Sequence, residues 1–325
     1  MGKLRRGTQT ALSETGSLRV RAAWLYHNHG LTQKDVAERL GVSRTTVIRL
    51  LDEARRRNEV LIWIDEGERT CVDLAARLED VFGLDEALVV PEAPSMDQTN
   101  TAVGLALGKF LSEAIPNEVT IGVGWGRTLT ASLAGFRPGR HHGVKVLSLM
   151  GGATEAHFTN PVEFSWRLAS QLDAECFLFP APVIVDSAET KRRLIEFCGL
   201  GKLIALADSL DIAVLSVGDI GPEGTSLAKH LMPVDVLGEV VRKGAVADVM
   251  CHFLDATGAS VPHPVVDCVM SVGIERVTRA KHKVIACGGV WRAIALRAAL
   301  RRIGCNTLVT DEGAARALLA AEATA

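Results

Sequence analysis

The segment Leu31–Arg57, LTQKDVAERLGVSRTTVIRLLDEARRR, constrains the fold more than any other stretch of this chain. Its apolar residues recur at helical spacing in two short runs broken at Gly41. Thr32 is placed to cap the first helix, which turns Val36, Ala37 and Leu40 to one side. Gly41 and Val42 make the turn, and Ser43 caps a second helix that buries Val47, Leu50 and Leu51. Arg44, Thr45, Thr46 and Arg49 stay exposed on that helix. The layout predicts a helix-turn-helix whose second helix enters the major groove of DNA. An ordinary αα-hairpin shares the apolar spacing, but it does not require both caps, the glycine and a basic, hydroxyl-rich outer face. The amphipathic segment Leu18–His29 supplies a third helix, and Val60–Ile64 reads as a short strand, as in winged variants.

Charge supports the same division. Residues 1–60 hold 12 Lys/Arg against 6 Asp/Glu, whereas the remaining 265 residues hold 24 against 32. A basic head on an acidic body suits a protein that meets phosphates at one end. In the head, Arg44, Thr45, Thr46 and Arg49 are expected to meet base edges, with Gln33, Ser43 and the helix N-termini on the DNA backbone. Residues 1–17 are expected to form a disordered arm, in which Lys3, Arg5 and Arg6 carry charge, ahead of a DNA-binding domain at 18–64. No apolar leader and no membrane-length apolar run is present, which points to a cytoplasmic location without a membrane partner. Seven scattered cysteines without a C-x-x-C pair read as buried reduced thiols. Cys251, His252 and His263 offer no closed four-ligand spacing for zinc, so neither metal nor cofactor is expected.

Residues 65–70 are charged and read as a linker, followed by a helix over Val72–Phe82. From there to the end, unbroken apolar runs alternate with helical segments. Strands are expected at Ala87–Val90, Val119–Val123, Val144–Leu149, Cys176–Phe179, Ile212–Val217, Lys283–Cys287 and Thr307–Val309. Helices are expected at Thr101–Ala114, Pro161–Leu172, Ala188–Phe197 and Trp291–Ile303. Apolar runs without alternation, joined by crossover helices, predict an α/β domain with a doubly wound parallel sheet over residues 71–325. Ligands of such sheets bind beyond the carboxyl ends of the strands.

Four glycine-bearing loops fall at those ends. Gly124, Trp125, Gly126, Arg127 and Thr128 open a helix, where backbone amides can hold an anion. Gly151, Gly152, Ala153 and Thr154 repeat the pattern after the next strand, and Gly218 and Asp219 begin a third loop. Gly288 and Gly289 precede Arg292. Arg127 or Arg292 would serve a phosphate, and Asp219 or Asp248 would accept from sugar hydroxyls. Tight packing for the glycines, a solvated surface for each arginine and a turn role for Asp248 are the competing readings.

Taken together, these stretches resemble the SorC family of sugar-binding transcriptional regulators. The likeness rests on GLTQKDVAERLGVSRTTVIRLL, VGWGRTL, MGG, LFPAPVIVDS, SVGDIG, ADVMCHFLDATGASV, VIACGGVWRAIALRAAL and NTLVTDEGAARALL. The resemblance implies an effector domain with the fold of sugar-phosphate isomerases and deaminases but without their catalysis. It also implies a homo-oligomer, dimer or tetramer, whose hold on double-stranded operator DNA is switched by a sugar, polyol or sugar phosphate. Carried over by position, the family's phosphate-holding Gly-Gly-Thr-Thr loop falls on Gly151, Gly152, Ala153 and Thr154. Its late basic residue, usually Lys, falls on Arg292, and its acidic residue on Asp248. Ala153 lacks a hydroxyl of that loop, and His252 stands where the family often has Arg; both departures leave an unphosphorylated effector open. The rival readings are a sugar-phosphate isomerase or deaminase-like enzyme fused to a DNA-binding head, and a cysteine-based redox regulator.

Overall fold

The computed structural model describes residues 11–27, 29–57, 59–60, 66–137, 141–153, 160–221, 226 and 228–323. Two compact units divide between Asp65 and Glu66. The first is α1 (Ala11–His27), α2 (Gln33–Leu40) and α3 (Arg44–Arg56). Its core joins Ala22 and Ala23 of α1, Val36 and Ala37 of α2, and Val47, Leu50, Leu51 and Ala54 of α3. A bidentate pair between Arg19 and Glu59 ties α1 to the residues that follow α3. Helix α1 begins upstream of the expected Leu18, so residues 11–17 are helical rather than part of an arm. Residues 61–64 of the expected wing strand, and Lys3, Arg5 and Arg6, lie outside the described residues.

The second unit opens with α4 (Glu66–Phe82), β1 (Glu86–Val90), α5 (Met96–Ala114), β2 (Thr120–Val123), α6 (Arg127–Gly135) and β3 (Lys145–Ser148). It continues through α7 (Pro161–Leu172), β4 (Glu175–Phe177), α8 (Ala188–Phe197), α9 (Gly201–Leu206), β5 (Ile212–Leu215) and β6 (Gly218–Asp219). Then come α10 (Ala228–Leu231), α11 (Val234–Arg242), β7 (Ala245–Val249), β8 (His252–Asp255) and α12 (Ile274–Val277). It ends with β9 (His282–Ala286), α13 (Ala293–Ile303), β10 (Thr307–Asp311) and α14 (Glu312–Ala323). The charged run from Glu66 is therefore the first turn of α4 rather than a linker.

Seven strands form one parallel sheet in the order β1-β10-β9-β5-β2-β3-β4. Its strands are apolar on both faces, and successive residues alternate sides. Val146, Val214, Val284 and Val309 face a core with Leu107 of α5, Leu129 of α6 and Phe164 of α7. Their neighbours Leu147, Leu215, Ile285 and Leu308 face the opposite core with Leu78 of α4, Leu296 of α13 and Leu318 of α14. From β2 the chain moves outward to β4, then returns to β5 and moves the other way to β10. The order reverses between β2 and β5, the switch point at which open α/β sheets leave a crevice.

A separate antiparallel sheet, β6-β7-β8, holds the ADVMCHFLDATGASV stretch, whose β7 and β8 form a hairpin. Met250 and Cys251 join β7 to β8 with φ of 53° and 62°. Two left-handed residues are what a tight hairpin turn following the strand twist demands. Asp248 holds that turn by accepting from the Cys251 backbone N–H at 2.7 Å.

Candidate functional site

In the first unit, local chemistry sets both helix starts. Thr32 and Asp35 form a reciprocal capping box, and Gly41 ends α2 at φ 67°. Ser43 Oγ accepts from the Thr46 N–H at 3.1 Å, and the two hydroxyls lie 2.8 Å apart. Arg44, Thr45 and Arg49 are exposed on α3, while Thr46 is half-buried by its part in the cap. Arg44 Nε donates to Gln33 Oε1 at 3.4 Å, which joins α2 and α3 on one outer edge. The six head residues singled out in the sequence thus lie on α2, on α3 and on the cap between them.

In the second unit, a cleft with about 480 Å³ of empty space, its open mouth included, lies at the switch point. Gly124, Trp125, Gly126, Arg127 and Thr128 line one wall, and Ser216, Val217 and Gly218 after β5 line the next. Arg292, Asp248 and Met250 complete it together with Asn100 of α5 and Ser226. Eight of the expected effector residues therefore converge: Gly124 to Thr128, Gly218, Asp248 and Arg292.

Gly151, Gly152, Ala153 and Asp219 are not among the lining residues. A Cβ on Gly151 would fall 2.4 Å from the Ala181 carbonyl oxygen, so this glycine serves close packing. Gly152 pairs with Pro182, and the Ala153 carbonyl accepts from Asn160. Asp219 accepts from the Gly221 N–H at 2.9 Å and holds its own turn. Thr154 and Pro222–Gly224 lie outside the described residues. His252 also stands apart from this cleft, with Nε2 3.1 Å from Ser271 Oγ, so the effector argument drawn from it loses its basis.

Helix α6 starts at the cleft. Its N-cap is Gly126, at φ 147°, with no side-chain cap. The positive end of the helix dipole therefore lies at the cleft with no side-chain cap upon it. The helix is held there by α5. A Cβ on Gly104 would meet the Thr128 carbonyl oxygen at 2.7 Å, and one on Gly108 the Ser132 carbonyl oxygen at 2.1 Å. Asn100, Gly104 and Gly108 share one face at i,i+4,i+8, so the stripe that lets the helices touch also carries Asn100 to the end of α6.

Arg292 is only 5% exposed, which overturns its surface reading. Its Nη1 donates to the Gly288 carbonyl at 3.3 Å and to Asn100 Oδ1 at 3.5 Å. Asp311 fixes the turn that presents it, accepting from Gly289 N–H at 2.6 Å and, with its other oxygen, from Gly313 N–H at 3.1 Å. Asn100 Oδ1 also accepts from Thr128 Oγ1 at 3.1 Å. Asp248 lines the cleft and closes the hairpin at once, accepting from Ser226 Oγ at 2.7 Å. Burial pushes its carboxyl up to about 6, against the lowering effect of the Ser226 and Cys251 donors. Burial likewise pushes His252 down to about 4, aided by Lys191. The Cys251 and Cys287 thiols are pushed up by burial and stay protonated, the opposite of an activated redox cysteine.

Asn100, Ser226 and Asp311 escaped the sequence reading. The expected start of α5 at Thr101 left Asn100 outside the helix, whereas α5 begins five residues earlier at Met96, capped by Ser95, which accepts from Gln98 N–H. The four-residue spacing of Asn100, Gly104 and Gly108 was the available signal.

Comparison with known proteins agrees with this division. Residues 13–60 match a homeodomain-like domain and residues 68–320 a sugar-binding domain. The erythritol catabolism regulatory protein EryD of Brucella abortus is 27% identical over 305 residues, covering 93% of this chain and 96% of its own. The transcriptional regulator LsrR of Klebsiella pneumoniae is 31% identical over 318 residues, covering 95% and 94%. The full-length sorbitol operon regulator SorC of Klebsiella pneumoniae superimposes with a TM-score of 0.72 at 22% identity, over 94% of this chain and 99% of that one. The chain belongs to the SorC/DeoR-type family of sugar-binding transcriptional regulators.

Proposed function

We propose that α3 reads an operator and that the cleft at the switch point takes the effector, a phosphorylated sugar or polyol. The observation that carries the second part is the buried Arg292 beside the uncapped start of α6. A guanidinium and helix-terminal amides in one desolvated place suit a compact oxyanion. Asp248 supplies an acceptor for hydroxyls in the same cleft. Relatives named for erythritol catabolism and for a sorbitol operon support a polyol or sugar as the body of the ligand.

In the head, Arg44 and Arg49 are the base-reading candidates, with Thr45 and Thr46 beside them and Gln33 and Ser43 on the DNA backbone. A dimer or tetramer would present its heads to a two-fold operator, with half-sites about 34–36 Å apart. Effector shifts operator binding only through its different affinity for the two arrangements of the oligomer. The protein acts in the cytoplasm; no helix among the described residues is long and apolar enough to cross a membrane.

One observation favours an enzyme instead: a carboxyl with pKa about 6 inside the cleft. Both Asp248 oxygens already accept, from Ser226 Oγ and from the Cys251 N–H, which fixes the carboxyl as an acceptor for hydroxyls rather than as a mobile proton carrier. Selecting operator duplexes from a random pool with the full chain, then titrating sugars, polyols and their phosphates, tests the whole reading. Phosphorylated compounds alone should change operator affinity and be recovered unchanged. An effect of free polyols alone contradicts the anionic end, converted ligand establishes an enzyme, and no effect from any compound contradicts a sensor in this cleft.

A further inference from the structure

Asn100 is 4% exposed and lines the cleft, yet its Nδ2 has no hydrogen-bond partner among the described residues. A buried amide N–H₂ without a partner is costly, and the cost is removed when a ligand accepts from it. The amide is not free to turn over. Its Oδ1 accepts from Thr128 Oγ1 at 3.1 Å and from Arg292 Nη1 at 3.5 Å, so rotation would set Nδ2 against the guanidinium, which can only donate.

Building on the anion site proposed above, we propose that Asn100 is the residue that selects a fully deprotonated oxygen over a hydroxyl at the start of α6. With the amide so held, Nδ2 of Asn100, the guanidinium of Arg292 and the backbone amides that begin α6 make that end of the cleft rich in donors, beside the Thr128 and Ser216 hydroxyls, which donate or accept. A phosphate or carboxylate oxygen accepts from all of them. A sugar hydroxyl can accept too, but its own proton then meets mostly donors, with only those two hydroxyls to accept it. The carboxyl acceptor for hydroxyls lies on β7 instead, at Asp248. The cleft therefore has two chemical ends, and Asn100 tips the α6 end towards donors. Asp in its place would put a negative oxygen where Nδ2 stands, repelling an anion and offering an acceptor to a hydroxyl.

The test uses the full chain, with inorganic phosphate and sorbitol as probes, each titrated by calorimetry against wild type, Asn100→Asp and Asn100→Ser. Wild type is expected to bind phosphate. Asn100→Asp should weaken phosphate by about tenfold or more, the scale of a lost charge-assisted hydrogen bond, with sorbitol unchanged or tighter. Asn100→Ser, which retains a small donor and adds no charge, should weaken phosphate less and keeps the test alive if the Asp variant does not fold. Equal loss of both probes, or unchanged phosphate binding in both variants, overturns the proposal. Wild type binding sorbitol but not phosphate overturns it while the sensor cleft stands. Wild type binding neither overturns the cleft reading and this proposal with it.

Discussion

The two units use the same side chain in opposite physical settings. On α3, Arg44 and Arg49 are exposed, so any partner they meet feels their charges through high-dielectric water. In the cleft, Arg292 is almost wholly buried, ringed by Asn100, the Gly288 carbonyl and the α6 end. There a single charge acts at close quarters and at low dielectric, which suits one small anion. The exposed cations depend on a helix surface alone, whereas the buried one depends on four chain segments meeting. Each therefore fails in a different way.

The buried setting should break most severely where α5 and α6 touch. Gly108→Ala places a methyl group 2.1 Å from a backbone oxygen, so the helices must separate. Chemical denaturation of the second unit should show a loss of about 3 kcal/mol, with ligand binding lost as well. A variant of wild-type stability would mean that the helix contact does not hold the site.

A charge effect of similar size sharpens the contrast within the second unit. Asp248, pushed up to about 6, binds its proton more tightly folded than unfolded. Its stabilisation is complete below the ordinary carboxylate value of 3.8 and is lost as pH rises through about 6. His252, pushed down from 6.5 to about 4, resists protonation when folded, so its contribution is lost as pH falls across that interval. The two slopes oppose each other in wild type. Asp248→Asn removes the first, and its stability should fall by about 3 kcal/mol from pH 7 to pH 4, more than wild type. Superimposable profiles would refute the raised Asp248.

The smallest effect falls in the head. Ser43→Ala removes the cap of α3 and should cost about 1 kcal/mol, read as a lower thermal midpoint of the first unit alone. An unchanged midpoint would show that the cap contributes nothing beyond water.

The same contrast explains what could be read from the residues. Thr32, Gly41 and Ser43 act on neighbours within a few positions, so the head was legible down to its caps. The parallel sheet was legible because strands apolar on both faces leave unbroken runs. The cleft was legible only in part. Arg127 and Thr128 follow their glycine turn directly, but Arg292 reaches the same place through the Asp311 clamp, and Asn100 through a helix whose cap at Ser95 went unread. The Gly151 loop shows the converse: glycines at a strand end served packing, and only the position of Ala181 reveals it. Local chemistry survives in sequence, and convergence of distant segments does not.

Crossing the two arginines tests the central claim most directly. Arg49→Ala and Arg292→Ala would each be measured for operator affinity without effector and for effector affinity without DNA. Arg49→Ala should weaken operator binding by roughly tenfold to a hundredfold and leave effector affinity within about threefold. Arg292→Ala should do the reverse. Either variant losing both affinities to the same extent would contradict two separate sites built on opposite physics.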